Sequence, residues 1–304
     1  MASKTQLKRK GGKGRAQKKS GSKSARRKAN RVKTKRVASG PSLAAKADKH
    51  ELYELAVQDP EQDVAFLRQA YECVRGHAPR LLREDFCGTA AVCATWVAQG
   101  EKFAAEGCDL DEDTLQWGRE RHLAPLGSAA RRVTLHCKDV REPGLAKPDI
   151  TCAHNFSYQV FHTRALMLQY FKFVLDTLAA GGVFVLDMYG GWESTEVLEE
   201  ERPIEGTKAF YVWDQVSYSP VTGRQDCAIH FRFKDGSELR RAFFYEWRYW
   251  TMPELKDILQ DAGFARIDSW FEVMDEDGDG TGVFEPSDEG LNCESWLGYL
   301  VAYK

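Results

Sequence analysis

A turn of small residues follows an acidic, strand-like segment near residue 84. Residues 81–100 read LLREDFCGTAAVCATWVAQG, which predicts a strand, a turn and then a helix. Glycine at position 88 lets the backbone approach a ligand closely, and a helix N-terminus offers free N–H groups and a positive dipole end. A carboxylate at the strand end, Glu84 or Asp85, is placed to bind a ligand ammonium. The alternative is a tight turn that binds nothing. The candidate ligand-binding residues of the turn are Cys87, Gly88 and Thr89.

A second acid lies at the end of the next strand-like segment. Asp109 follows Gly88 by 21 residues, and an acid about 20 residues after a glycine-containing turn is placed to hold both hydroxyls of a ribose. Leu110, beside it, would form an apolar wall next to an adenine. The alternative for Asp109 is a helix cap, a role that Asp111 can also take at the following helix. The spacing favours a ribose-containing ligand.

The elements that must position these residues alternate between strand and helix. Asp59 and Pro60 are typical of a helix start, and a helix is predicted to about residue 75. Apolar, β-type runs lie near 80–86, 103–109, 132–137, 149–154 and 182–188. Helical patterns lie between them, near 89–99, 113–124 and 163–179. This alternation predicts βαβ units and a parallel sheet, which is an α/β fold.

The pattern changes after residue 208. Residues 208–250 alternate around two turn signals, which predicts an antiparallel meander of about three strands. A helix at 252–262 and strands near 266–273 and 295–303 complete the chain. The meander would stand over the carboxyl ends of the parallel strands, where open α/β folds bind ligands. The candidates to line a pocket under this lid are Tyr189, His230, Tyr245, Glu246 and Trp247. The alternative is that they are lid-core aromatics and surface charges.

Together these motifs resemble those of class I S-adenosylmethionine-dependent methyltransferases. EDFCGTA is similar to the D-x-G-x-G-x-G motif of that family, with Glu84 as the leading acid and Gly88 as the central glycine. Phe86 and Ala90 stand where the family has its first and third glycines. GCDLDEDTL resembles the second-strand ending, LAAGGVFVLD the turn and fifth strand, and WTMPELKDILQDAGF the helix before the last strand pair. The resemblance spans roughly residues 77–304.

The resemblance implies a fold, a cofactor and roles for named residues. The fold would be a Rossmann-like, doubly wound sheet of mostly parallel strands, with an antiparallel lid inserted at about 190–250. The cofactor would be S-adenosyl-L-methionine, with Asp109 on the ribose. HCKDV resembles the third-strand ending, where Asp139 would meet the adenine amino group and the Val140 backbone the ring edge. The Cys87 thiol itself is expected to pack. The cofactor-binding residues so implied are Glu84, Cys87, Gly88, Thr89, Asp109, Leu110, Asp139, Val140 and Asn155.

Residues 154–158, HNFSY, end the fourth strand, where the family builds the rim between cofactor and substrate. The segment is similar to the N-P-P-Y of amino-group methyltransferases that act on flipped bases or amide side chains. Phe156 and Ser157 replace the two prolines, which removes that rigid turn. The rim of small-molecule N-methyltransferases is the favoured match, and a purely structural strand end is a third interpretation. The predicted catalytic residues are Asn155, Tyr158 and Tyr189.

The predicted reaction is in-line displacement of a methyl group from a sulfonium onto a nucleophile, for which the protein supplies alignment and a water-poor site. A neutral amine acceptor needs little general base, whereas a hydroxyl needs a base such as His154, Tyr189 or Glu246. A small-molecule or amine acceptor is the favoured prediction. The alternatives are an RNA or ribosome-associated methyltransferase and a non-catalytic, methyltransferase-like nucleic-acid-binding protein.

The net charge of −2 conceals two oppositely charged parts. Residues 1–47 hold 17 of the 43 Lys and Arg and no acid, whereas residues 48–304 carry a net charge of −19. The first part is predicted to be a disordered tail, because it has almost no apolar residues, and the second a class I methyltransferase domain. Such a tail suits nucleic acid, because each phosphate contact releases a counterion. A solubilising extension and a transit peptide are the alternatives.

Composition argues against several classes of protein and site. No stretch approaches the run of about 18 apolar residues that a membrane helix needs, and no apolar segment follows the charged N-terminus as in a secretory signal. The 8 Cys include no C-x-x-C pair and indicate reduced thiols. The predicted compartment is therefore the cytoplasm, with nucleus and organelle left open. Residues 275–282 match half of a calcium loop, but Pro286 stands where the bidentate Glu belongs. A solvated acidic loop is favoured there, and no metal is predicted.

Overall fold

The computed structural model describes residues 40–275, 280–290 and 292–304. Most of the predicted basic tail, residues 1–39, lies outside this part of the chain, as does the centre of the predicted acidic loop, residues 276–279. The described strands form two sheets, one of eight strands and one of four.

Five strands of the larger sheet run parallel. They are β1 (Leu81–Asp85), β2 (Ala104–Asp109), β3 (Val133–Cys137), β4 (Ile150–Ala153) and β5 (Val183–Gly190). Their order in the sheet is β3-β2-β1-β4-β5, so the strand order reverses between β1 and β4. Such a reversal leaves a crevice at the carboxyl ends of the strands, where open α/β sheets bind ligands. The predicted Rossmann-like sheet of mostly parallel strands is confirmed.

Helices cover both faces of this sheet. The α-helices of the described residues are α1 (Leu43–Lys46), α2 (Lys49–Val57), α3 (Pro60–Arg75), α4 (Ala91–Ala98), α5 (Glu112–Gly118), α6 (Arg164–Thr177) and α7 (Met252–Ala262). α5 continues as a π-helical turn, Arg119–Leu123, and a 3-10 segment, Ala124–Arg132; shorter 3-10 segments are Ser157–Val160 and Trp192–Thr195. One apolar layer joins the sheet to α3 and α4, and another joins it to α6 and α7. Among the described helices, none has the length and apolar character of a membrane span.

Local sequence signals set the ends of two of these helices. Asp59 accepts the amide of Gln62 at the start of α3, with Pro60 in the first turn. Thr251 and Glu254 form a capping box at the start of α7. The predicted starts of both helices are confirmed, because a cap depends only on neighbouring residues.

The smaller sheet is the predicted antiparallel lid. Its strands are β6 (Glu199–Pro203), β7 (Ala209–Tyr218), β8 (Arg224–Phe233) and β9 (Glu238–Arg248), inserted between β5 and α7. Antiparallel strands β10 (Arg266–Met274), β11 (Gly280–Pro286) and β12 (Trp296–Tyr303) complete the larger sheet beside β5. Neither β6 nor β11 was predicted. β6, with the sequence EEERP, lacks apolar alternation because it forms an exposed edge of the lid.

Residues 43–57 form two helices that composition did not predict. The tail boundary at residue 47 is wrong, because α1 folds onto the lid. The amide of Leu43 donates to Asp235 Oδ2 (2.9 Å) and that of Ala44 to Ser237 Oγ (3.0 Å). α2 places Leu52 in the same apolar cluster as the lid. The partners of α1 lie more than 190 positions along the chain, so composition alone cannot show these contacts.

We expect Leu52→Ala to lower the free energy of unfolding by about 2–4 kcal/mol, because a Leu that is only 7% exposed loses its contacts and leaves a cavity. Leu55→Ala is the matched control on the same helix. Its side chain is 58% exposed, and the change should stay within about 0.5 kcal/mol. Urea unfolding followed by circular dichroism measures both. Equal effects would show that α2 is not packed against the lid.

Candidate active site

The turn after β1 keeps the backbone of a glycine-rich loop although two of the glycines are replaced. Phe86 and Ala90 have φ values of +59°, and Gly88 has a φ of +52°. This is the left-handed region, which costs a residue other than glycine about 1–2 kcal/mol. The Phe86 ring packs against Phe161 and Tyr170, with centroids 6.1 and 6.0 Å away. A Cβ built on Gly88 meets no described atom within 4 Å. The turn is therefore open at Gly88, as a ligand cradle requires.

The buried carboxyl group of Glu84 caps helix α4 from the end of β1. Ala90, which precedes the helix, makes no side-chain cap. Glu84 Oε2 instead accepts the amide of Cys93 at 3.1 Å. Burial raises the pKa of Glu84 from its usual 4.5 to about 8, because the charged form loses its hydration. Its direct contact with an ammonium stays a prediction.

Asp85, the other acid considered for an ammonium, is engaged inside the protein. Its carboxylate pairs with Arg83 at 2.7 Å and accepts the hydroxyl of Tyr170 at 2.9 Å, and both Asp85 and Arg83 are buried. Asp85 therefore faces α6, and its carboxylate is occupied by partners inside the protein. Of the two predicted ammonium ligands, only Glu84 is left as a candidate.

Asp109 joins the end of β2 to the turn after β1. One carboxylate oxygen accepts the amide of Gly88 at 2.8 Å, and the other accepts the amide of Asp111 at 3.0 Å. α5 comes so close to this turn that a Cβ on Gly118 would collide with the Thr89 carbonyl. Asp109 is thus beside Gly88, as the spacing predicted, and Leu110 next to it is 71% exposed.

The segment after β3 carries the two residues predicted for an adenine. Asp139 forms a paired contact with Arg141, at 2.9 and 2.7 Å, and hydrogen bonding to Arg141 lowers the pKa of Asp139. An adenine amino group would have to share this carboxylate with Arg141. The Val140 carbonyl accepts from Arg83 Nη2 at 2.6 Å. Arg83, which sequence reasoning missed, therefore ties this segment to β1.

The loop after β4 carries the predicted rim residues. Asn155 is half-buried there, and the ring of Phe156 lies edge-on to Tyr189 at 4.9 Å. The Tyr189 hydroxyl donates to Gln225 of the lid at 2.9 Å. Tyr158 is instead fully buried in the layer around α6 and α7, and its hydroxyl has no hydrogen-bond partner among the described residues. The structure thus brings Phe156, the neighbour of Asn155, against Tyr189 and places Tyr158 in the core.

The two faces of the lid separate the predicted pocket residues. Tyr245 and Trp247 belong to the apolar cluster that also holds Phe156 and Tyr189, and their rings stack at 4.5 Å. Glu246 alternates to the opposite face and is exposed. His230 is on that opposite face too, bonded to Asp214 at 3.1 Å. The expectation that His230 and Glu246 line the pocket is wrong, because strand register points them away from it.

Helix α2 brings residues to the turn that sequence reasoning did not anticipate. Glu54 Oε1 accepts the hydroxyl of Thr89 at 2.6 Å and lies 2.7 Å from His122 Nε2. Asp48, which caps α2, accepts the indole N–H of Trp117 at 2.7 Å. On its other side α2 contacts the lid, where the rings of Tyr53 and Phe243 are 4.9 Å apart. Helix α2 therefore reaches from the lid to the turn after β1, and no local sequence motif indicates either contact.

Two other predicted groups are buried away from solvent. His154 packs with Nδ1 at 3.7 Å from Asp63 Oδ1. Cys87 is a free thiol, and burial raises its pKa well above the usual value, as expected of a packing residue. Within the described ranges, no group of three or more His, Cys, Asp and Glu side chains is arranged to hold a metal ion.

Solved structures share this architecture. No family model matches the sequence, and no curated protein matches it. DesVI of Streptomyces venezuelae superimposes with a TM-score of 0.62 at 16% identity, covering 84% of this chain and 98% of that one. An S-adenosylmethionine-dependent methyltransferase of Clostridium acetobutylicum gives 0.61 at 16% identity, covering 84% and 96%. The chain has the class I S-adenosylmethionine-dependent methyltransferase fold.

The same methyltransferase fold is found in CalS10, an amino pentose methyltransferase of Micromonospora echinaspora solved with S-adenosylmethionine bound. It superimposes with a TM-score of 0.59 at 18% identity, over 84% of this chain and 95% of CalS10. The identities are low, so the likeness concerns the path of the backbone. In this methyltransferase fold the open turn, Asp109 and Val140 lie at or just after the ends of β1, β2 and β3, at the carboxyl edge of the sheet.

The raised pKa of Glu84 predicts how stability depends on pH. The folded protein holds this proton more tightly than the unfolded chain, so the stability that it contributes is complete below about pH 4.5 and is lost as the pH rises towards 8. Glu84→Gln keeps an oxygen acceptor for the Cys93 amide and does not titrate. The compared quantity is the difference in melting temperature between Glu84→Gln and the unaltered protein. We expect this difference to shift by about 4 °C or more in favour of Glu84→Gln when the pH is raised from about 5 to about 8.5. Thermal unfolding across this range measures the difference, and a constant difference would contradict the assignment.

Proposed function

We propose that this chain is an S-adenosylmethionine-dependent methyltransferase acting on a small-molecule or amine acceptor. The observation that carries the proposal is the meeting of three predicted segments at one sheet edge of the methyltransferase fold. Gly88 and Asp109 are hydrogen-bonded at 2.8 Å. Val140 is tied to the same edge through Arg83 at 2.6 Å. Segments far apart in the sequence thus converge where the fold binds ligands.

The residues at this edge fit the cofactor. The open space at Gly88 allows backbone contact with a ligand. Each carboxylate oxygen of Asp109 accepts one amide and keeps acceptor capacity, so both ribose hydroxyls can be bound. Leu110 supplies an exposed apolar surface for a base. When bound, S-adenosylmethionine supplies a methyl group activated by the sulfonium charge, and the chain aligns it and excludes water.

The placement of the candidate bases favours a nitrogen acceptor. Glu246 is exposed on the far face of the lid, and His154 is buried against Asp63. The Tyr189 hydroxyl donates a hydrogen bond to Gln225 Oε1, and burial raises the pKa of Tyr189 well above the usual value. None of these three groups is poised to take a proton from a hydroxyl, whereas a neutral amine needs little general base. CalS10, whose backbone is similar, is an amino pentose methyltransferase, so its class of substrate carries an amino group.

We expect Asp109→Ala to weaken the binding of S-adenosylhomocysteine by about 1–3 kcal/mol, which is roughly 5- to 150-fold, because two hydroxyls lose a charged acceptor. Asp111→Ala is the matched control, since Asp111 caps α5 two residues away and should leave the affinity within about threefold. Calorimetric titration of the folded variants measures both. If the unaltered protein bound no S-adenosylhomocysteine, the enzyme assignment would fail and the non-catalytic alternative would stand.

The acceptor itself calls for a direct screen. Tritiated S-adenosylmethionine is incubated with the full chain and a panel of amino sugars, small amines and their hydroxyl counterparts. Transfer to amines but not to the matched hydroxyl compounds is the expected result. Transfer to hydroxyls alone would overturn the argument from the candidate bases.

A second candidate, an RNA or ribosome-associated methyltransferase, is favoured by the 17 Lys and Arg among residues 1–47. If these side chains bind RNA, phosphate contacts must dominate. With about six phosphates engaged, affinity should fall about a thousandfold between about 50 and 200 mM salt. Filter binding compares the full chain with a chain that starts at Gly40, which should bind weakly because the rest of the protein is acidic. Equal RNA affinity in both would move the nucleic-acid site onto the folded domain and favour the RNA methyltransferase.

A further inference from the structure

Two consecutive residues at the end of β4 adopt a backbone that glycine usually supplies. Asn155 has φ +55° and Phe156 has φ +58°. The left-handed region costs a non-glycine residue about 1–2 kcal/mol. Adjacent left-handed residues persist only where the surrounding structure holds them, and such strain clusters at functional sites. The loop that carries the predicted rim residue Asn155 is therefore held by something outside itself.

The carboxylate of Asp187, on the neighbouring strand β5, holds this loop. β4 and β5 pair in parallel with Ala153 opposite Leu186, which places Asp187 level with the start of the loop. Its Oδ2 accepts the amide of Asn155 at 2.8 Å, and its Oδ1 accepts the amide of Phe156 at 2.9 Å. Asp187 is only 2% exposed. Charge-assisted hydrogen bonds of this kind compensate a buried carboxylate for lost water.

One carboxylate thus orients two residues with different neighbours. Asn155 is half-buried at the carboxyl edge of the sheet, where β4 neighbours β1 and the turn that follows it. The ring of Phe156 meets Tyr189 at 4.9 Å and Trp247 of the lid at 6.5 Å. The amides of both residues are fixed by Asp187. The Asp187 carboxylate therefore fixes both the rim residue Asn155 and the ring of Phe156 that contacts the lid.

We propose that Asp187 is a positioning residue for methyl transfer, which acts through the amides of Asn155 and Phe156 to align the rim of the site with the lid. This inference rests on the proposed function. The turn and Asp109, which carry most of the predicted cofactor contacts, are held by a separate hydrogen bond between the Gly88 amide and Asp109. Its loss should therefore slow transfer and leave cofactor affinity nearly unchanged.

The test compares Asp187→Asn with Asp149→Asn. Asp149 lies at the opposite edge of the same sheet, where its Oδ2 accepts the amides of Arg80 at 2.7 Å and Leu81 at 3.0 Å. The two changes thus remove the same chemistry, a carboxylate that accepts two backbone amides, near the site and far from it. Asp187→Glu, which keeps the charge but shifts it by one methylene, serves as a second variant if Asp187→Asn does not fold.

Three measurements separate a positioning role from a structural one. In Asp187→Asn, hydrogen exchange should rise by about tenfold or more in peptides covering 154–161 and 243–250. S-adenosylhomocysteine affinity should stay within about threefold by calorimetry, and the rate of transfer to the screened acceptor at saturating donor should fall by about tenfold or more. Asp149→Asn should show none of these changes in the two peptides or in the rate.

The results that would overturn the proposal are distinct from those that would overturn the function. Unchanged exchange at 154–161, or an equal rise in Asp149→Asn, would remove Asp187 from its positioning role. So would an unchanged transfer rate, or a loss of S-adenosylhomocysteine affinity as large as the loss of rate. Failure of the unaltered protein to bind S-adenosylhomocysteine or to transfer methyl groups would instead refute the proposed function.

Discussion

The carboxyl edge of the large sheet depends on side-chain carboxyl groups that accept hydrogen bonds from backbone amides. Glu84 holds the start of α4, Asp109 holds the turn at Gly88, and Asp187 holds the loop after β4. In the turn after β1 the Ala90 amide pairs with the Cys87 carbonyl, whereas the Gly88 amide is paired by Asp109, and a buried amide left unpaired costs about 1–3 kcal/mol. Strand-end acids satisfy these amides from the side and leave the crevice free.

This constraint explains how the turn tolerates the loss of two glycines. Phe86 and Ala90 keep left-handed backbones, which is a strained choice unless the neighbouring groups fix it. Phe86 gains contacts with Phe161 and Tyr170 on the α6 side of the sheet, and Glu84 supplies the helix cap that Ala90 cannot. The backbone geometry is thus preserved while the residue types change.

The lid and the N-terminal helices form one layer over the crevice. Leu52 of α2 packs in the same cluster as Trp213 and Trp247 of the lid, while Glu54 reaches Thr89 at 2.6 Å. α2 therefore contacts both the turn after β1 and the lid. Phe156 contacts the same layer from the sheet side, so the site is bounded by elements that are mutually packed.

Features that depend on near neighbours can be read from the sequence alone. The cap at Asp59, the alternation of strands and helices, the 21-residue spacing from Gly88 to Asp109 and the insertion of an antiparallel lid were all readable, because caps, periodicity and strand order act over short range. Long-range packing sets which face of the lid His230 and Glu246 occupy, folds α1 and α2, and brings Glu54 and Asp187 to support the site. Those outcomes depend on contacts such as Glu54 with Thr89, 35 positions apart, and Asn155 with Asp187, 32 apart. Alternation along a strand shows which side chains share a face but not which face meets the protein, and that choice is made when distant apolar surfaces pack together.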